Sequence, residues 1–383
     1  MAVIPNNHAD SASTVADVSL KDARRLSGGY NWREKTAMPV LTAHKIASST
    51  CGHVKSHDVE ITEGGKVRPG DVIVVKALEE KRVYDQLELD TGRLAHISKD
   101  DIIVGVLGSR QALRGFVGHC PSDVSTGDTL SVLNLGGVIG VATSGNEDLG
   151  GQPLKVKVLG LASRDGQVIN IGEGAVQPSK SLKTKTPLIV VSGTCMSAGK
   201  TRAVCEIIAQ LNQRGFRFGA LKLSGVAALR DTLNMQDHGA LQTLSFLDAG
   251  HPSTAGFTDL APMAMGLLNQ MSKQPLDAIM IEMGDGILGG YGVDSFFKNE
   301  QIRAAIAVHV MCAGDLVGAW GAKQIAESLG RKIDVMSGPA TDNDVGTHFV
   351  ERELGIPAAN ARTAGRQLAD IVAMRCFGRE SKR

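Results

Sequence analysis

The stretch Val191-Ser-Gly-Thr-Cys-Met-Ser-Ala-Gly-Lys-Thr201 decides the fold of this 383-residue chain. It follows the apolar run at 188–191. It precedes an amphipathic segment, 200–213, which the periodicity predicts to be a helix with Val204, Ile207, Ile208 and Leu211 on one face. A glycine-rich turn between a buried strand and a helix offers backbone N–H groups to phosphate oxygens. The stretch therefore predicts a phosphate-binding loop.

The predicted nucleotide-binding residues are contiguous: Gly193, Thr194, Cys195, Met196, Ser197, Ala198, Gly199, Lys200 and Thr201. In this pattern Lys200 contacts the β- and γ-phosphates, and the Thr201 hydroxyl is a ligand of Mg²⁺. The strict pattern G-x-x-x-x-G-K-[ST] fails by one residue, because Thr194 occupies its first position and Gly193 comes one step earlier. The alternative is a glycine-rich strand-to-helix turn with an exposed lysine.

Composition excludes several classes of protein. The chain has 41 basic and 40 acidic residues and a formal net charge of +1, which argues against a nucleic-acid or acidic-membrane partner. No segment reaches the roughly 18 consecutive apolar residues that span a bilayer, and the polar start of the chain predicts no secretion signal. The 6 cysteines form no CxxC pair, so a reducing cytoplasm is the expected location.

Pattern changes along the chain predict its organisation. Residues 1–38 are predicted to be weakly ordered, with one short helix at 18–26. Residues 39–174 contain short Val/Ile-rich runs bounded by turn residues, which predict a β-rich, barrel-like domain. Residues 175–186 are polar and basic and resemble a linker. In residues 187–383 strands alternate with helices, which predicts a parallel-sheet α/β domain.

Four charged residues lie at or after the ends of predicted strands of the α/β domain. Glu282 ends an apolar strand at the sheet edge where ligands bind, so it is a candidate catalytic residue and Mg²⁺ ligand. Lys222 ends the preceding strand and is a candidate for charge stabilisation. Arg230 and Asp285 are weaker candidates for substrate binding. A helix cap, a turn or a solvent-facing charge is the alternative for each.

The loop resembles that of dethiobiotin synthetase and its relatives among the P-loop NTPases, over about 187–345. The segment 234–242 is similar to the family's segment with a metal-binding aspartate, which implies that Asp237 binds metal from a helix predicted at 232–247. The segment 337–343 falls where relatives place an asparagine that reads adenine, which implies this role for Asn343. The resemblance implies ATP and Mg²⁺ as cofactors, and a homodimer.

The same half also resembles an uncharacterised P-loop family that includes D-glutamate N-acetyltransferases, with which it shares the Gly-Thr loop and the Glu-x-x-x-Gly strand end. The β-rich part matches neither pattern. Its role and the identity of the substrate therefore stay open at the level of sequence.

Three functions are compatible with these residues. The first is an ATP-dependent enzyme that transfers a phosphoryl group to, or ligates, a small anionic substrate with Mg²⁺, with Lys200, Lys222 and Glu282 as catalytic residues. The second is a nucleotide-driven switch or assembly factor whose β domain binds a partner. The third is an N-acyltransferase whose loop holds the phosphates of an acyl-CoA.

Overall fold

The computed structural model describes residues 38–381, which contain a β-rich part followed by an α/β part. The prediction for residues 1–37, including the short helix at 18–26, lies outside the described residues. No helix in the described range is long and apolar enough to cross a membrane.

The β-rich part consists of short strands: β1 (Val40–Thr42), β2 (Lys45–Ile46), β3 (Asp58–Thr62), β4 (Gly65–Lys66), β5 (Val72–Ala77), β6 (Gln86–Glu88), β7 (Leu94–His96), β8 (Ile102–Leu107), β9 (Arg110–Gln111), β10 (Val117–His119), β11 (Asp123–Val124), β12 (Thr129–Val132), β13 (Val138–Ser144), β14 (Lys155–Arg164) and β15 (Gln167–Val168). Single turns of 3₁₀ helix occur at Ser48–Thr50 and Glu147–Leu149.

Five of these strands close into a ring in the order β5, β8, β13, β12, β14 and back to β5. All pairs in the ring are antiparallel except β8 with β13. Closure pairs both edges of each strand, which removes exposed edges. Apolar side chains such as Ile73, Ile103, Leu130 and Val156 belong to one buried cluster of this part. The predicted barrel-like architecture is confirmed.

The α/β part alternates strands and helices: β16 (Leu188–Gly193), α1 (Lys200–Asn212), β17 (Phe218–Ser224), α2 (Arg230–Asp237), β18 (Gln242–Ser245), α3 (Ala261–Met271), β19 (Ala278–Met283), α4 (Val293–Lys298), α5 (Glu300–Ala305), β20 (Ile306–Cys312), α6 (Leu316–Ser328), β21 (Val335–Ser337), α7 (Asp344–His348) and α8 (Gly365–Phe377). A 3₁₀ turn at Pro339–Thr341 and a π-helical turn at Phe349–Glu353 complete it.

Six parallel strands form the central sheet, in the order β18-β17-β19-β16-β20-β21. Strand β16 is buried along its whole length, as expected for a central strand covered by helices on both faces. Helix α1 follows it and packs Val204, Ile207, Ile208 and Leu211 into the core. The carboxyl ends of β16, β17 and β19 meet at one edge, where open α/β sheets bind ligands.

The predicted helix over 232–247 is wrong in its second half. Helix α2 ends at Asp237, and Gly239 adopts a left-handed conformation with φ of 105°. Such a residue stops a helix. Residues 242–245 then form β18, which pairs in parallel with β17.

The two parts share buried structure. Val72 and Val74 of β5 belong to the same hydrophobic cluster as Leu247 and Met263 of the α/β part. The Nδ2 of Asn134 donates a 2.6 Å hydrogen bond to the carbonyl oxygen of Ala227. The described residues form one compact unit, and the division into domains at 174 and 187 remains a prediction.

A buried histidine in the α/β part makes stability depend on pH. His309 of β20 is fully buried, and its Nε2 lies 2.7 Å from the Oγ of Ser192. Burial lowers the pKa of His309 to about 3. The unfolded chain binds a proton near pH 6.5, whereas the folded chain does not until about pH 3, so stability falls as pH falls between these values.

We expect the free energy of unfolding to be about 2 kcal/mol smaller at pH 5 than at pH 7 through this histidine. Urea unfolding of the wild type and of His309→Gln at both values checks this expectation. The variant lacks the titrating ring and should show a smaller loss. An equal loss in both proteins would assign the pH dependence to other groups.

Candidate functional site

The loop between β16 and α1 presents unpaired donors. The backbone N–H groups of residues 195–201 donate no hydrogen bond within the described part of the chain. Ser197 and Gly199 both have positive φ, 59° and 90°. Helix α1 begins at Lys200, so its N-terminus points its partial positive charge into the same loop. Unpaired N–H groups at a helix N-terminus are the general arrangement by which proteins bind anions such as phosphate.

Lys200 lies across the loop rather than in solvent. Its Nζ donates a 2.7 Å hydrogen bond to the carbonyl oxygen of Cys195, and only 6% of the residue is exposed. A Cβ added at Gly193 would lie 2.9 Å from the Cδ of Lys200. A larger residue at 193 would therefore displace the lysine. The alternative of a turn with an exposed lysine does not describe this loop.

A polar cluster lies at the carboxyl ends of β17 and β19, beside the loop. The Oγ1 of Thr201 donates a 3.0 Å hydrogen bond to the Oε1 of Glu282. The Nζ of Lys222 lies 3.7 Å from the same Oε1 and also forms a short ion pair with Asp231. The cluster joins the predicted residues Lys222, Glu282 and Thr201, and adds Asp231 to them.

Burial dominates the electrostatics of the cluster. Burial lowers the pKa of Lys222, while the nearby Glu282 carboxylate acts in the opposite direction. The Asp231 partner further favours the ammonium form. Burial also raises the pKa of Asp285, which stands in the loop after β19 with φ of 59°. Backbone strain and perturbed carboxyl groups are typical of functional sites.

A cavity of about 520 Å³ connects the loop to the β-rich part. Its α/β wall includes the predicted residues Met196, Ser197, Gly199, Lys200, Thr201, Lys222, Arg230, Glu282 and Asp285. Its opposite wall comes from the β-rich part and includes Tyr84, Arg110, Arg114 and Asn134. The volume lies in the range of small-molecule sites.

The charges that line the cavity favour an anionic ligand. Six basic side chains line it: Arg110, Arg114, Lys200, Arg202, Lys222 and Arg230. Three acidic side chains line it: Asp231, Glu282 and Asp285. A concave site with this excess of positive charge attracts polyphosphates and small acids.

Two predicted site residues lie elsewhere. Asp237 is exposed at the end of α2 and does not line the cavity. Asn343 is also exposed and outside the cavity, where its Oδ1 accepts the N–H groups of Val345 and Gly346 at the start of α7. Asn343 follows a turn whose Gly338 contacts the phosphate loop at Ala198.

The residues Glu282 and Thr201 fit a magnesium ion. The Oε2 of Glu282 is buried and has no hydrogen-bond partner within residues 38–381, although a buried carboxylate oxygen normally has one. The Thr201 hydroxyl is next to it. No group of three or more His, Cys, Asp or Glu side chains suited to a metal occurs in residues 38–381. A small ligand set is expected for Mg²⁺, which keeps waters and takes phosphate oxygens.

The β-rich part also positions helix α2. The carboxylate of Glu88, fully buried at the end of β6, accepts the N–H groups of Leu229 and Arg230, the latter at 2.9 Å. These N–H groups belong to the first turn of α2, which has no cap of its own. Asp231, which forms the ion pair with Lys222, directly follows Arg230 in this turn. By binding the turn, Glu88 therefore positions Asp231 for that ion pair.

We expect Glu88→Gln to lower the free energy of unfolding by about 2 kcal/mol, since an amide offers one acceptor where the carboxylate offers two. Chemical denaturation measures the loss. Glu63→Gln, at an exposed position of the same part, is the matched control and should be neutral. Equal stability of the two variants would mean that Glu88 does not hold the helix.

Sequence reasoning missed the β-rich wall of the cavity. Tyr84, Arg110 and Arg114 line it without belonging to any motif, and Tyr291 joins them from the segment 284–292, which is rich in glycine. No local pattern distinguishes these residues from the other arginines and tyrosines of the sequence. Only the folded arrangement of the two parts brings them to the phosphate loop.

No protein-family model matches the chain, and no curated protein does. Solved structures with a similar fold include chloroplast FtsY from Physcomitrella patens, with 12% identity over 54% of this chain and 70% of that chain at a TM-score of 0.34. The hydrogenase maturation factor HypB from Archaeoglobus fulgidus has 17% identity over 50% of this chain and 78% of that chain, at 0.28. A DUF1611 family protein from Anabaena variabilis has 15% identity over 56% of this chain and 66% of that chain, at 0.36.

The α/β part has a mixed α/β fold, with a parallel six-stranded sheet and a strand-loop-helix unit at β16 and α1. The similarity to the solved structures concerns the fold alone. The narrower resemblance to dethiobiotin synthetases stays a prediction.

Proposed function

We propose that this protein is an ATP-dependent enzyme that transfers a phosphoryl group to, or ligates, a small anionic substrate with Mg²⁺. One observation carries the proposal: the loop with unpaired N–H groups at 195–201 lines a cavity through Met196, Ser197, Gly199, Lys200 and Thr201, and basic side chains outnumber acidic ones in that cavity. Both a polyphosphate and an anionic acceptor fit such a site. The volume of the cavity, about 520 Å³, favours a small acceptor over a polymer.

The proposed reaction uses residues already in contact. An oxygen of the acceptor attacks the γ-phosphorus of ATP, the bond from that phosphorus to the β,γ-bridging oxygen breaks, and ADP leaves with the electron pair. Lys200 and the loop N–H groups bind the phosphates, and Lys222 faces the transferring group. Glu282 and Thr201 would hold Mg²⁺, which neutralises phosphate charge when bound. Where the acceptor is a carboxylate, the resulting acyl phosphate leads to ligation.

Asp285 is proposed as a substrate-side residue of this reaction. Burial raises its pKa, and it lines the cavity together with Lys200. A carboxylate with a raised pKa is a stronger proton acceptor, which suits an acceptor that attacks through a hydroxyl group. Arg230, on the same wall, is proposed to bind the acceptor's charge. A soluble homodimer in the cytoplasm, without nucleic-acid or membrane partners, completes the proposal.

A thermal-shift screen of the full chain with Mg²⁺ and ATP, GTP or coenzyme A tests the proposal. At an ATP concentration about 100 times the Kd, the stabilisation is about 2.7 kcal/mol, which is several degrees in melting temperature. ATP-dependent release of ADP should then require a small acid from a panel. A shift with coenzyme A alone would support an acyltransferase, and hydrolysis stimulated only by a protein would support a switch. Either result would overturn the proposal.

A further inference from the structure

Arg110 is a buried cation that forms no ion pair within residues 38–381, although the Asp285 carboxylate of the same cavity interacts with it at longer range. It lies on β9 of the β-rich part, is 5% exposed and lines the cavity. Its Nη1 donates to the hydroxyl of Tyr84 at 3.0 Å and, through a short hydrogen bond, to the carbonyl oxygen of Leu133. Its Nε has no partner, and no carboxylate in residues 38–381 forms an ion pair with it. An unpaired buried charge is unfavourable unless a ligand supplies its partner.

Aromatic rings hold the guanidinium without neutralising it. The Cζ of Arg110 lies 5.7 Å from the ring centroid of Tyr84 and 6.0 Å from that of Phe116. The two rings meet edge to face at 5.2 Å, so they form a rigid wall. A cation–π contact at this distance is weaker than the desolvation of a guanidinium. The positive charge therefore remains available to an anion in the cavity.

Two tyrosine hydroxyls add donors beside Arg110. The Tyr84 hydroxyl accepts a hydrogen bond from Arg110, and the Tyr291 hydroxyl accepts one from the N–H of Gln111 at 3.0 Å. Neither hydroxyl donates to an acceptor among the described residues. Burial raises the pKa of Tyr291 to about 12, so its proton is retained at neutral pH. Each hydroxyl that accepts one bond still has its own O–H to donate.

We propose that Arg110, Tyr84 and Tyr291 form an anion subsite that binds an oxyanion, a carboxylate or a phosphate, of the acceptor substrate. The inference rests on the proposed function and names the class of its acceptor. Two members of the subsite, Tyr84 and Arg110, belong to the β-rich wall and Tyr291 to the α/β part, whereas the loop N–H groups and Lys200 are proposed to bind the triphosphate. The β-rich part therefore selects the acceptor.

The test uses the full chain saturated with Mg²⁺ and a non-hydrolysable ATP analogue, so that the γ-phosphate position is filled. Inorganic phosphate and succinate are titrated separately by calorimetry. We expect one of them to bind, which identifies the oxyanion, and Arg110→Met to weaken that binding by about tenfold or more. The affinity for the analogue should change less than about twofold. Arg82→Met, at an exposed position of the same part, should bind both as the wild type does.

Several results would overturn the inference. In the first, the wild type binds the ATP analogue but neither phosphate nor succinate. In the second, Arg110→Met binds the probe as tightly as the wild type does. In the third, Arg110→Met loses affinity for the analogue to the same extent as for the probe. If the wild type does not bind the analogue, the proposed function fails, and the subsite fails with it. If Arg110→Met does not melt cooperatively, the same titration is made with Tyr291→Phe, because this variant removes one hydroxyl donor and keeps the aromatic ring. It should weaken probe binding by about 2- to 10-fold, and unchanged binding would reject the subsite.

Discussion

Lys200→Ala is expected to abolish the rise in melting temperature that Mg²⁺ and ATP produce. The Nζ of Lys200 lies inside the loop, 2.7 Å from the carbonyl oxygen of Cys195, where it can transfer its hydrogen bond to a phosphate oxygen. Losing one charged donor should weaken nucleotide binding by about 10- to 100-fold. Turnover should fall by about 10²- to 10³-fold, as for other donors that stabilise developing charge.

Calorimetry and thermal shift on the same samples measure this effect. Lys332→Ala is the matched control, because Lys332 is exposed and does not line the cavity. The control should bind ATP as the wild type does. An Lys200→Ala protein that is still stabilised by ATP to the same extent would show that the nucleotide does not use this loop.

Glu282→Gln is expected to separate metal binding from nucleotide binding. The carboxylate is 2% exposed, and its Oε2 has no partner. Glutamine has nearly the same size as glutamate but lacks the negative charge that attracts a divalent cation. We expect the affinity for Mn²⁺, in the presence of nucleotide, to fall by about 10- to 100-fold, with a comparable loss of turnover.

Electron paramagnetic resonance of Mn²⁺ reports the metal independently of activity. Glu327→Gln, on the exposed face of α6, is the matched control and should bind Mn²⁺ normally. Glu282→Gln also removes a negative charge next to Lys222, so a change in the pKa of Lys222 should accompany the loss of Mn²⁺ affinity. Unchanged Mn²⁺ affinity in Glu282→Gln would remove this residue from the metal site.

Local sequence patterns predicted the strand-loop-helix unit and the proximity of Lys222 and Glu282 to it. The apolar run before Gly193 and the amphipathic run after Lys200 specify a strand-loop-helix unit. Parallel strands bring their carboxyl ends to one edge, which explains why Lys222 and Glu282 meet Thr201 although they are far apart in sequence. The strand-loop-helix unit and the meeting of these side chains both follow from secondary structure alone.

Other features depend on tertiary contacts that no local pattern carries. The left-handed backbone at Gly239 follows the end of α2 at Asp237, whereas the sequence prediction extended this helix through 247. Arg110 reaches the loop only because two separately patterned parts pack against each other through Asn134 and Glu88. A two-residue strand such as β9 is too short to give a periodic signal.

The packing of the β-rich part also bears on the choice between an enzyme and a switch. Its strand β5 shares a hydrophobic cluster with the α/β part, and its Glu88 holds the first turn of α2. A module that binds a separate partner needs an exposed surface of its own, whereas this part presents Tyr84 and Arg110 to the cavity. Its placement supports the proposal that it forms a substrate wall.

A crystal structure with Mg²⁺ and a non-hydrolysable ATP analogue tests the account most directly. We predict that the β- and γ-phosphates accept hydrogen bonds from the N–H groups of residues 195–201. The metal should lie between Thr201 and Glu282, and the γ-phosphate should face the cavity beside Lys222. Nucleotide bound at another place, with the loop still closed by the hydrogen bond from Lys200 to Cys195, would contradict the account.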